Sequence, residues 1–294
     1  MRIALAATVL AAAAATTPAA AQADDPIVVT GQREQIENFV RALTPGSPRS
    51  QIARFENEIC PRALGFTDAQ RATVEQRIRL VAENVGLKVG EPDKCLVNLL
   101  VIVTPDKLAF VKALGRDNNY MFGNRSPGEV REILAQPGSA IAWQVEGALN
   151  ADGNAVMVQQ GTPVNRTGHK GSRITAAARP YIAGAVVVFD ARALDGLSTT
   201  QIADYAMMRG FADVDLARLD GASAPTILRA LDAPGDAEVP MTLTQWDFAF
   251  LKGLYSAPNN LYAPSQRSEI GRVLEQEIGG ADAKDKPAPD RSKG

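Results

Sequence analysis

Two apolar runs, Cys95 to Val103 and Tyr181 to Phe189, interrupt their hydrophobic character with a single polar side chain, Asn98. A strand that is apolar on both faces must be covered on both faces, so such runs belong inside a sheet that helices sandwich. Helical periodicities surround them. Ile36, Phe39, Val40 and Leu43 recur at helical spacing before the breaker Pro45-Gly46. Thr67 with Gln70 forms a capping box for a helix carrying Val74, Ile78, Val81 and Val85, closed by Gly86. With 294 residues, 46% of them hydrophobic, the chain can bury a substantial core. The fold expected is α+β (α/β): one domain over residues 24–278, with a mixed β-sheet and packed helices.

The remaining elements follow from local signals. Thr104 reads as the cap of a helix with Pro105 at its first position and Gly115 past its end, and Ser126, Pro127 and Glu129 repeat that start pattern. Alternation of Ile141, Trp143 and Val145 predicts a half-buried strand. Residues 150–180 are turn-rich and predict a loop or extended hairpin. Arg166, Lys170, Arg173 and Arg179 gather there around His169 and read as a solvated face rather than an anion site. Past the second apolar run, Ser198 or Thr199 caps a helix to about Phe211, and Thr226–Leu231, Gln245–Tyr255 and Ser268–Ile278 predict three more. Residues 279–294 lack an apolar period and predict a disordered tail.

The N-terminus bears on compartment. Arg2, the apolar run Ile3 to Ala15, Pro18 and the small-x-small triplet Ala21-Gln22-Ala23 form a secretory signal peptide over residues 1–23, with Asp24 as the mature start. The expected location is periplasmic or secreted, with no transmembrane segment after cleavage. Ile27 to Arg33 resembles the TonB box of outer-membrane receptors. The chain lacks the strand series of a receptor barrel, however, so the segment reads as a β-prone first strand or a leader habit of exported proteins. Cys60 and Cys95, the only cysteines, read in an exported protein as a disulfide. A net charge of −2 argues against nucleic acid.

One spacing suggests chemistry. Ala203, Asp204, Met207, Gly210 and Asp213 fall at the positions that H-E-x-x-H-x-x-G-x-x-H/D assigns to ligand, base, ligand, turn and third ligand. The segment thereby resembles a degenerate metzincin-type zinc site. Together with Thr244 to Tyr255 it makes the chain similar to a group of uncharacterised exported Gram-negative bacterial proteins, some with an intact zincin-like signature and some without. That resemblance implies a zincin-like fold and no settled activity. On the bare chemistry the site is empty: Ala offers no donor, a thioether is a poor zinc ligand, and His169 is the sole histidine. No cofactor or metal is expected. Asp190 and Asp195, after the second strand, read as turn residues rather than an acid–base pair. No nucleophile elbow, Walker or Rossmann pattern is present. The reading is a non-catalytic zincin-like scaffold that binds a protein, peptide or envelope polymer. An envelope hydrolase using carboxylates is the alternative.

Overall fold

The structure, a computed structural model, describes residues 26–285 except 45, 47–50, 160–161, 169–170, 173–174, 220–221 and 236. Residues 1–23, where a signal peptide is expected, the last nine residues and His169, Lys170 and Arg173 lie outside the described residues.

The fold is α+β, built on a four-stranded mixed sheet. Strands β1 (Pro61–Leu64), β2 (Leu99–Thr104) and β6 (Ala178–Asp190) run parallel, and β3 (Ala140–Asn150) closes the sheet antiparallel to β6, in the order β1-β2-β6-β3. A short hairpin, β4 (Met157–Gln159) and β5 (Thr162–Val164), stands between β3 and β6, within the stretch where a loop or hairpin is expected. The period-two alternation of strands sorts side chains cleanly between two layers. Leu99, Val101, Ala185, Val187 and Phe189 face one, while Ile102, Ile141, Trp143, Val186 and Val188 face the other.

The larger layer receives α1 (Pro26–Ala42), α2 (Asp68–Asn84), α5 (Thr199–Phe211), α7 (Gln245–Ser256) and α8 (Ala263–Asp285). These helices contribute Phe39, Ile78, Met207, Phe250 and Ile270 to one core. The smaller layer is covered by α3 (Lys107–Asp117) and α4 (Pro127–Leu134). There Phe122 stacks on Trp143 with ring centroids 4.9 Å apart, and the indole N–H donates to Met121 O at 2.8 Å. Each such fully buried large side chain contributes about 1.5–3 kcal/mol. The disulfide Cys60–Cys95 is formed, its Cα atoms 5.9 Å apart, and pins the entry of β1 to the loop before β2.

Several expectations are corrected. Ile27 to Arg33 is not a strand but the start of α1, whose later turns bury Ile36, Phe39 and Val40. Tertiary burial of that stripe overrides β-propensity at the start of the segment. The second strand begins at Leu99, not Cys95, because the disulfide and the Asn98 side chain (accepting from Cys60 N at 2.8 Å) hold the preceding residues in a loop. Asp106 rather than Thr104 caps α3, accepting from Ala109 N at 2.9 Å, and Gly115 lies inside that helix. Only a 3-10 turn, Ile227–Arg229, forms where a helix over 226–231 is expected. The last helix starts at Ala263 and runs to Asp285, past the expected boundary at Gly279. Extending a nucleated helix costs far less than starting one.

Candidate functional site

Helix α5 carries the residues that the metzincin-like spacing singles out. Ser198 caps it through a capping box with Gln201, and Tyr205 meets Phe189 of β6 with ring centroids 5.6 Å apart. Ala203 and Met207 are fully buried in the large core. Gly210 does not turn the chain, since the helix continues to Phe211. It lets the helix lie close on the sheet: a Cβ there would sit 2.8 Å from Leu99 Cδ1.

Asp204 is also fully buried, and protein donors occupy both its oxygens. Arg77 of α2 donates from Nε to Oδ1 at 2.7 Å and from Nη2 to Oδ2 at 3.0 Å. Thr242 Oγ1 and Leu243 N both donate to Oδ2 at 2.8 Å. This carboxylate ties α5 to α2 and to the loop before α7, and with the residue fully buried and both oxygens engaged by protein donors it is not placed to activate a water. Asp213 lies past the helix end and is exposed, so the fold does not gather it with Ala203 and Met207. Among the described residues no group of three or more His, Cys, Asp or Glu is arranged to hold a metal ion.

The other sequence candidates have structural partners or lie on exposed turns. Asp190 accepts from Lys107 N at 2.9 Å and so adds a second acceptor, from the end of β6, to the α3 N-terminus that Asp106 caps. Asp195 is exposed on a turn. Of the basic cluster, Arg179 pairs with Glu56 at 3.4 Å, and exposed Arg166 accepts from Asn150 Nδ2 through its backbone carbonyl at 3.0 Å.

The chemistry that the spacing did not reveal sits at the other end of α5. A cleft of about 520 Å³ opens between α4, the first residues of β3, the end of α5 and the short α6 (Leu216–Leu219). Two arginines line it. Arg209 is 3% exposed, and its guanidinium has only neutral partners: Tyr205 Oη at 3.0 Å and Gln136 Oε1 at 2.7 Å. Arg125 donates to the carbonyls of Phe122 and Gln144. Neither arginine forms an ion pair among the described residues.

Gln136 also clamps the free edge of β3, donating to Ala142 O at 2.7 Å and accepting from Ala142 N at 3.0 Å. Gln144 donates to Arg209 O and Ala212 O, both at 2.8 Å, which satisfies carbonyls at the α5 terminus. These amides fix the cleft floor and block the strand edge from pairing with another chain.

Four carboxylates share the cleft. Glu129 is held by its capping box with Ser126, whose hydrogen bonds lower its pKa, and Asp215 pairs with Arg218 at 2.8 Å. Glu132 is exposed. Asp213 also lines an adjoining cleft of about 170 Å³ that contains Glu146. Glu146 stands at the β-bulge of β3. Lost hydration raises the pKa of both Asp213 and Glu146. The charge of Asp213 raises Glu146 further, while Arg125 opposes both shifts. Both side chains reach solvent, so the dehydration is partial.

No protein family, no curated protein and no solved structure matches this chain.

Proposed function

We propose that this is an exported, non-catalytic binding protein of the cell envelope, built on a zincin-like scaffold. The observation that carries the reading is the fate of the signature positions on α5. Ala203 and Met207 are core residues, Asp204 is consumed by Arg77, Thr242 and Leu243, and Gly210 is a packing contact. A catalytic zinc needs three protein ligands and an open position. Export is supported by Arg2, the apolar run Ile3 to Ala15 and the Ala21-Gln22-Ala23 triplet, together with the Cys60–Cys95 disulfide. Among the described residues no helix is long and apolar enough to cross a membrane.

Elemental analysis of protein purified without chelator, combined with a casein cleavage assay, tests this reading. The expected result is no stoichiometric zinc and no chelator-sensitive cleavage; finding both would overturn it.

A second reading is favoured by one observation, the coupled carboxyls of Glu146 and Asp213 at adjoining clefts. A pair with raised pKa values is the arrangement that acid–base hydrolysis uses. Activity against envelope polymers that Asp213→Asn and Glu146→Gln each abolish would establish that reading in place of the first.

A further inference from the structure

We propose that the cleft between Arg125 and Arg209 is a binding site for an organic monocarboxylate with an apolar body, the carboxylate seating against the two guanidiniums. The inference rests on the binding-protein reading and names its ligand chemistry. Its first support is the state of Arg209. A buried charge is costly unless a counter-charge compensates it, and a guanidinium cannot escape that cost by losing its proton. Arg209 is almost wholly buried, yet the tyrosine hydroxyl and glutamine amide that hold it are neutral. They orient the fork without neutralising it. Arg125, on the neighbouring wall, is anchored through backbone carbonyls and likewise forms no ion pair among the described residues. Two pre-oriented guanidiniums beside one cleft, neither in an ion pair among the described residues and both opposed only at longer range by the cleft carboxylates, form a receptor for a planar anion.

The lining narrows the class. Glu129, Glu132, Asp213 and Asp215 surround the two arginines, so the cleft walls oppose each added negative charge and a dianion is opposed about twice as strongly as a monoanion. Beyond the arginines, Pro137, Val214 and Leu216 stand at the surface of the cleft over buried Ile133, which suits an apolar body. The blocked edge of β3 excludes recognition by strand addition, since Gln136 and Arg125 occupy its outward groups at Ala142 and Gln144.

Asp213 supplies a signature. It faces Arg125, Arg209 and Asp215, with Glu146 beside it, and its carboxyl competes with the ligand for the same positive charge. Binding should therefore tighten as pH falls towards the carboxylate range, and Asp213→Asn should flatten most of that dependence.

Calorimetric titration of the purified protein with benzoate, benzamide and sulfate tests the proposal. Benzoate should bind once per chain, with neutral benzamide and dianionic sulfate much weaker. Arg209→Met and Arg125→Gln should each weaken benzoate at least about 30-fold, as expected when one partner of a desolvated charge contact is removed. Asp213→Asn should bind roughly threefold tighter at neutral pH, a gain that misfolding cannot produce. Comparing a dipeptide ending in Phe as free acid and as amide distinguishes a peptide terminus from a small acid as the source of the carboxylate. Absence of benzoate binding, affinity unchanged in Arg209→Met, or sulfate binding more tightly than benzoate would overturn the proposal. Zinc-dependent cleavage with the benzoate pattern intact would sink the binding-protein reading and leave the anion site. Loss of the benzoate pattern without zinc would do the reverse.

Discussion

Asp204 and Arg209 stand on the same helix, both charged and both buried, at 0% and 3% exposure. Their surroundings are opposite. Asp204 has a bidentate guanidinium, a hydroxyl and a backbone N–H, so its charge is neutralised and both its oxygens are engaged. Arg209 has a phenol and an amide, which hold it in place and leave its charge standing. The first arrangement closes a fold. The second leaves electrostatic work undone beside an open cleft, and that difference separates a structural charge from a site.

The comparison breaks most visibly on the paired side. Asp204→Ala strands Arg77 and should cost about 3–5 kcal/mol in urea denaturation, the scale for removing one partner of a buried pair. A loss under 1 kcal/mol would mean that the network is ornamental. A control on the same core without any charge is the disulfide. Replacing Cys60 and Cys95 with serine should cost about 3–4 kcal/mol by the loop-closure estimate for their separation of 35 residues. Gly210→Ala should cost about 1–3 kcal/mol, because the added methyl meets Leu99 on the sheet. A neutral result would show that α5 can back away from β2.

The smallest effect belongs to the cleft carboxyls. Asp213 and Glu146 have folded pKa values raised above their ordinary 3.8 and 4.5, so ionising them works against the fold. That cost is present at neutral pH and fades as pH falls through the raised values towards the ordinary ones. Asp213→Asn and Glu146→Gln should thus melt slightly higher than the parent at pH 7 and equally at pH 4. A lower melting temperature at pH 7 would reverse the sign.

Much of the scaffold was legible in the sequence. The caps at Thr67, Ser126 and Ser198 and the two apolar runs predict α2, α4, α5, β2 and β6, because the signals and the structures they make are local. Element ends were misplaced where a distant partner decides them, as at Cys95, held by a disulfide, and where two local caps compete, as at Thr104 and Asp106 before α3. The cleft was illegible for a related reason. Arg125 and Arg209 lie far apart in sequence, and only the fold shows that one is buried and neither is paired. Glu146 carried a faint signal as the acidic residue on the outward phase of the Ile141-Trp143-Val145 alternation, but its neighbour Asp213 could be known only from coordinates. The metzincin-like spacing drew attention to α5, where the helical period that would bring ligands together also brings core residues together.

The most direct test of the contrast between the two charges is the melting temperature of Arg209→Met set beside that of Arg77→Met, both at neutral pH without added ligand. If Arg209 is a charge kept for a ligand, replacing it with an apolar side chain of similar length removes the burial cost of a guanidinium that has no ion pair. The protein should then melt at or above the parent temperature, while Arg77→Met, which strands Asp204, melts well below it. Equal large losses in the two variants would contradict the account, because Arg209 would then be as structural as Arg77.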